Sequence, residues 1–209
     1  MISILVAYTK NHRVIGKGGE IPWNLPSERL RFKEICKNRF IIMGRKSFDE
    51  IGHGLPYCTI IIISRTLKNA PEGCLLAKSL ENGIELAKKY SKKPLKTFFN
   101  TQQSQPEKAL HNGEHTKNNS SLTTVFQNSN YDKDTEILIA GGGEIYRQAL
   151  SIPVTEKLHV TKVYATEIEA DYQGDTTFPP LENYGKWKKT EELEKKELEV
   201  SYKYVTYER

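Results

Sequence analysis

Ile21-Pro22-Trp23-Asn24-Leu25-Pro26-Ser27-Glu28 sets one carboxylate just inside the start of a predicted helix, directly after an apolar loop. A lone acid in apolar company can accept charge-assisted bonds from an amidine-like edge and keep a proton available near neutral pH. That is the chemistry needed to recognise and protonate a flat nitrogen heterocycle. Glu28 also reads as an ordinary first-turn glutamate favoured by the helix dipole. Two glycine-bearing turns suit a different group. Gly141-Gly142-Gly143 follows a predicted strand and opens a helix, and Gly44-Arg45-Lys46-Ser47 repeats the arrangement. Backbone without side chains lets a pyrophosphate approach, and a helix start favours its charge. The spacing is not that of the Rossmann fingerprint, and a plain tight turn is the alternative reading. His111 and His115 lie four apart. No helix or partner acid is predicted around them, so no metal is expected.

These residues need a scaffold. Residues 2–8 are a continuous apolar run, the pattern of a strand buried on both faces. Residues 9–24 carry Gly16, Gly18, Gly19 and Pro22 and read as a long mobile loop. Pro26 suits the first turn of the helix bearing Glu28, with Leu30, Phe32 and Ile35 available for apolar contact. A short buried strand at 40–43 and a short helix at 45–51, ended by Gly52, come next. Residues 59–64 are a β-branched run typical of a central parallel strand. Ser79 caps a helix reaching about residue 90. Further on are a strand at 136–140, a helix from 143 to about 150 and a strand at 157–164. An antiparallel pair at about 186–194 and 197–207 ends the chain, with a phase slip at Val205 and Tyr207 that suggests a bulge. Strands alternating with helices, then antiparallel strands, imply an α/β domain with a mixed, mainly parallel central sheet flanked by helices.

The chain has 209 residues, a length that fits one domain or one domain with an appendage. Its hydrophobic content of 37% is low for a compact domain. The shortfall is local: in 100–134 only six of 35 residues are hydrophobic. Such a stretch buries too little apolar area to offset the entropy of ordering, so about 92–135 reads as a polar, flexible insertion in a single 1–209 domain. No apolar run approaches the ~20 residues that span a bilayer. Met1-Ile2-Ser3-Ile4-Leu5 reads as a first strand rather than a signal peptide. Cys36, Cys58 and Cys74 lack metal-ligand spacing and read as reduced thiols, so a cytoplasmic protein is expected; a monomer is expected as well. The net charge of +5 is scattered, which argues against a nucleic-acid surface.

The order strand, Val14-Ile15-Gly16, Pro22-Trp23, helix with Glu28 resembles the start of dihydrofolate reductases. Ile42-Met43-Gly44-Arg45-Lys46-Ser47, the run from Ile60 to Arg65, Ala140-Gly141-Gly142-Gly143-Glu144-Ile145-Tyr146 and Gly174-Asp175-Thr176-Thr177-Phe178-Pro179 follow in register. The match covers nearly the whole chain outside the insertion. It implies the fold just described, with NADPH as cofactor and dihydrofolate as substrate. In that family the acid at the place of Glu28 binds the pterin's N3 and 2-amino group and promotes protonation of N5. Thr161 matches the threonine that hydrogen-bonds the acid, and Trp23 the tryptophan that orders water near it. Tyr146 matches a residue near nicotinamide and pterin. Leu5, Val6, Phe32, Ile51 and Leu55 match apolar walls around the substrate. Ala7, Ile15, Gly16, Gly44, Ser47, Gly141, Gly142, Gly143, Glu144 and Ile145 match cofactor contacts. Arg45, Lys46, Ser64 and Arg65 match positions near the adenosine 2′-phosphate, which favours NADPH over NADH. Some relatives have an arginine where Glu144 stands. Asp175 matches a loop residue that in some relatives touches the mobile active-site loop.

Two positions depart from the resemblance. The arginine that usually pairs with the α-carboxylate of the substrate's glutamate is replaced by Cys58, in Leu55-Pro56-Tyr57-Cys58. The usually apolar position after the acid is Arg29. Arg29 can restore the lost cation from the other wall of the cleft, or it points to solvent. Two other readings stay open: a same-fold reductase of another pteridine or a pyrimidine, and a non-catalytic pterin- or nucleotide-binding module.

Overall fold

Eight consecutive residues, Ile2–Thr9, form the strand β1 at the centre of the molecule. The computed structural model describes residues 1–55, 58–91, 135–153, 155–192 and 194–209. The insertion expected at about 92–135, with His111 and His115, therefore lies outside the described residues apart from its last position. After β1 come β2 (Val14–Gly16), α1 (Pro26–Cys36), β3 (Phe40–Gly44), α2 (Arg45–Ile51), β4 (Thr59–Ile63) and β5 (Cys74–Ala77). Then follow α3 (Leu80–Ser91), β6 (Ile137–Ile139), α4 (Gly143–Ser151), β7 (Lys162–Glu169) and β8 (Thr176–Thr177). A 3-10 turn at Leu181–Tyr184 leads to β9 (Lys188–Glu191), β10 (Lys195–Glu197) and β11 (Val200–Glu208).

The main sheet runs β10-β11-β7-β1-β6-β3-β4-β5, with β9 also paired to β11. The strands from β7 to β5 are parallel; β11 is antiparallel to β7, β9 and β10. Period-two alternation in β1 divides its side chains between two layers. Ile2, Ile4, Val6 and Tyr8 pack with Leu80, Ile84 and Ala87 of α3 and Ile145, Ala149 and Leu150 of α4. Leu5 faces the other way, toward Phe32 and Cys36 of α1 and Phe48 of α2. The α/β expectation with a mainly parallel sheet is met. Among the described residues, no helix is long and apolar enough to cross a membrane.

Several expectations shift. The strand placed at 157–164 is β7, which starts later because backbone turns from Glu156 N to Pro153 O (2.9 Å) and His159 N to Glu156 O (3.2 Å) occupy the approach. β5 has no counterpart in the sequence reading. The 9–24 loop contains β2, pinned to β8. The bulge is not in β11, whose pairing with β7 is unbroken from Ser201 to Glu208. The shift lies in its other partner, between Glu191, opposite Val205, and Lys195, opposite Tyr202. Val205 and Tyr207 break the tyrosine phase because they pack on the opposite face of a doubly covered strand. Leu30, expected to make apolar contact, is 57% exposed.

Candidate active site

Pro26 opens α1 and Glu28 sits in its first turn, with 8% of its surface exposed. The helix dipole favours an anion there, but burial is larger and pushes the carboxyl up to about 7; Arg31 and, more weakly, Arg29 pull it back. Such an acid exchanges its proton in the physiological range. Leu5, Phe32, Ile51 and Leu55 gather in one apolar cluster with Met43 and Phe48, so four of the five expected wall residues come together. Val6 does not: its side chain lies on the other face of β1. Arg29 is exposed.

Trp23 is buried among Leu25, Ile168, Tyr202 and Tyr204, and its ring centroid lies 5.8 Å from that of Tyr172. Its indole Nε1 is buried without a protein partner. A buried donor left unpaired is costly unless water or a ligand accepts from it, so this atom marks a polar position beside the cleft. The hydroxyl of Tyr146 donates to the Leu5 carbonyl at 2.8 Å and ties α4 to the middle of β1. Burial first, then Glu28, holds that phenol well above its ordinary pKa, so it stays a donor.

Thr161 is not placed with the acid. Its hydroxyl gives its one proton to the Ile2 carbonyl at 3.3 Å, near the start of β1. The threonine beside the cleft is Thr166, fully buried in β7, opposite Ala7 in the register, with its Oγ1 accepting from Arg31 Nη1 at 3.1 Å. Ala7 itself packs against the cluster that holds Trp23.

The two glycine turns lie side by side. Gly44 N donates to Gly141 O at 2.8 Å, and the Gly141–Gly142 peptide is cis. A Cβ on Gly141 or Gly142 would come within 3.1 Å of Ser47 Oγ, and one on Gly44 within 3.4 Å of Ile145 Cγ1. The starts of α2 and α4 thus present bare backbone side by side. Because β3 and β4 are parallel, with Gly44 opposite Ile63, Arg45 and Lys46 emerge beside Ser64 and Arg65. Ser64 Oγ accepts from Leu67 N at 3.1 Å and lies 3.3 Å from Thr66 Oγ1, so it also builds the turn. Arg45 pairs with Asp49 at 3.5 Å while about half exposed. Glu144 is exposed and answered by Arg147 at 2.8 Å and Gln148 at 2.9 Å, which masks its charge at the mouth of α4.

The loop between β1 and α1 is fastened at three points. Ile15 and Gly16 belong to β2, and a Cβ on Gly174 would fall 2.3 Å from Val14 Cγ1, so only glycine admits this pairing. Asp175 Oδ2 accepts from Gly18 N at 2.8 Å, and Glu50 Oε1 of α2 accepts from Ile21 N at 2.8 Å.

A family model described as dihydrofolate reductase matches residues 1–99 and 101–209. The chain belongs to the dihydrofolate reductase family. It is 30% identical to the dihydrofolate reductase of Haemophilus influenzae over 88% of this chain and 82% of that one. It is 26% identical to the Bacillus subtilis dihydrofolate reductase over 100% of this chain and 95% of the relative. It is 28% identical to the Staphylococcus haemolyticus dihydrofolate reductase over 90% and 81%. As a dihydrofolate reductase-family protein it is an oxidoreductase.

One departure within this family is structural as well as chemical. Cys58 is 1% exposed, its Sγ 3.6 Å from the Leu55 carbonyl, and burial pushes its thiol up to about 12. It is neutral core, packed with Cys36 and Cys74. Sequence reasoning missed Thr166, Arg31, Glu50 and Thr66. Only for Thr166 was there a signal, since it ends a second strand-like run, Val163-Tyr164-Ala165-Thr166.

Proposed function

We propose that the protein reduces 7,8-dihydrofolate to 5,6,7,8-tetrahydrofolate, with one NADPH oxidised to NADP and one proton taken up at N5, supplying one-carbon metabolism. The observation that carries this reading is Glu28: a carboxyl pushed up to about 7 by burial, at the rim of an apolar cluster of Leu5, Phe32, Ile51 and Leu55. As carboxylate it accepts from the pterin's N3 and 2-amino group; in its neutral form it is a proton source near N5, through water held by Trp23 Nε1. The apolar walls orient the flat ring system and exclude bulk water.

The cofactor fits the residues present. At Gly44, Gly141 and Gly142 a Cβ would crowd Ser47 Oγ or Ile145, so the backbone at the starts of α2 and α4 stays bare, which suits a pyrophosphate. Arg45, Lys46, Ser64 and Arg65 offer cations and a hydroxyl for the 2′-phosphate, so NADPH is favoured over NADH. When bound, the dihydronicotinamide supplies the hydride for C6. The Tyr146 hydroxyl ties α4 to the Leu5 carbonyl, and Asp175 and Glu50 fasten the loop between β1 and α1; these residues would help hold the nicotinamide end.

The buried Cys58 favours a second reading, a pteridine without a glutamyl tail. Arg29, exposed on the rim next to Glu28, supports dihydrofolate by offering the missing cation. Following NADPH absorbance with dihydrofolate for the parent and for Glu28→Gln tests the proposal. Turnover that collapses in the variant near neutral pH is expected. NADPH binding without dihydrofolate turnover in the parent would overturn it in favour of a tail-less substrate.

A further inference from the structure

Arg31 stands one helical turn after Glu28, a half-buried cation whose direct contacts are all neutral; the exposed Glu192, whose N–H donates to the Tyr204 carbonyl at 2.9 Å, is the carboxylate that acts on it most, ahead of Glu28. Its Nη1 donates to Thr166 Oγ1 at 3.1 Å and toward the Ala165 carbonyl at 3.4 Å. Its guanidinium carbon lies 4.1 Å from the ring centroid of Tyr204, whose hydroxyl donates in turn to the Ser27 carbonyl at 3.5 Å. Among the described residues it makes no ion pair. A buried charge normally requires an opposite charge at contact distance. Here a hydroxyl, a carbonyl and an aromatic face anchor the guanidinium, and the Glu192 carboxylate, exposed to solvent, offsets only part of its field. The contacts also set the orientation of Thr166: having accepted from Arg31, its hydroxyl has its own proton to donate elsewhere.

We propose that Arg31 is a positioning residue of the reductase site, fixing the Thr166 hydroxyl and lending Glu28 a resident positive charge from behind. The proposal rests on reading Glu28 as the acid of the reaction. The other groups facing Glu28 cannot do this work. Tyr146 of α4, Cys36 of α1 and Tyr204 of β11 are all held protonated by burial near neutral pH. Arg29 opposes burial less than Arg31 does, and being exposed it is screened by water and salt. Arg31 thus keeps enough carboxylate at neutral pH to grip the amidine edge, while burial keeps enough acid to deliver the proton.

The test is a titration of the Glu28 carboxyl by carbon-13 NMR in ligand-free protein carrying labelled glutamate, with the signal assigned by its loss in Glu28→Gln. Arg31→Gln removes the charge but keeps a polar chain; Arg31→Lys keeps the charge but loses the fork. In Arg31→Gln the midpoint is expected to rise by about one pH unit, the scale of a nearby opposite charge. The alkaline limb of the turnover profile should rise with it, and KM for dihydrofolate near pH 7.5 should grow several-fold. Arg31→Lys should restore most of the midpoint. An unmoved midpoint in folded Arg31→Gln overturns the proposal, as does an equal rise in Arg31→Lys. Because the titration needs neither substrate nor cofactor, a shifted midpoint in a protein that ignores dihydrofolate would support the charge's role and overturn only the substrate reading.

Discussion

Replacing Glu28 by Gln should stabilise the empty protein, and the gain should depend on pH in one direction. Burial raises the carboxyl from its ordinary 4.5 to about 7 in the folded chain. Between those values the folded state holds a proton that the unfolded state has released, so stability falls as pH rises through this window. Above about pH 7 the cost is complete, on the order of 3 kcal/mol. Glutamine is neutral at every pH and escapes it. Urea unfolding of parent and Glu28→Gln at pH 4, 5, 6, 7, 8 and 9 measures the difference. The two should be nearly equal at pH 4, and the variant should gain progressively to a plateau above pH 7. With urea slopes of about 1–3 kcal/mol per molar, the midpoint moves by roughly 1–3 M. The same variant should lose about a hundredfold or more in turnover at neutral pH, the scale of one general acid. A stability difference that stays constant from pH 4 to pH 9 would refute the reasoning, because it would mean that the folded site ionises like the unfolded chain.

Other perturbations address other parts of the site. Arg29→Leu should raise KM for dihydrofolate about tenfold or more by removing the cation offered to the glutamyl tail; steady-state kinetics with an unchanged KM would sink that role. For the same reason small diaminopyrimidines, which carry no tail, should inhibit the parent less than an ordinary bacterial relative and Arg29→Leu more than the parent, read from inhibition constants. Arg65→Ala should lower the ratio of kcat/KM with NADPH to that with NADH by about tenfold to a hundredfold, since a charged contact to phosphate contributes about 1.5–3 kcal/mol. In Gly174→Ala the new methyl would meet Val14 Cγ1 at 2.3 Å, so β2 must part from β8. Turnover should fall while far-ultraviolet circular dichroism is retained; full activity would show that the pairing is dispensable.

The glycine turns and the β-branched strands were legible because the backbone itself dictates those residues: Gly52 at φ 78° and the crowded Gly141 and Gly174 admit little else. The run Thr59–Ile63 has room only in a sheet covered on both faces. What stayed hidden depended on register. Leu158-His159-Val160-Thr161 and Val163-Tyr164-Ala165-Thr166 are two similar strand-like runs, and nothing local says which one enters the sheet. Pairing with β1 decides: Ser3 stands opposite Lys162, which leaves Thr161 at the approach and brings Thr166 opposite Ala7. Helix α1 hid its facing for a related reason. Its charged and apolar residues interleave, so periodicity suggested Leu30 for the core, whereas Arg31 is the residue that turns inward, against Tyr204. A half-buried arginine and a buried glutamate whose carboxyl is pushed up by burial, one turn apart, break the local rules of a stable amphipathic helix. That the two exceptions meet at one place, beside an unpaired indole donor, argues that the sequence there answers to chemistry rather than to packing.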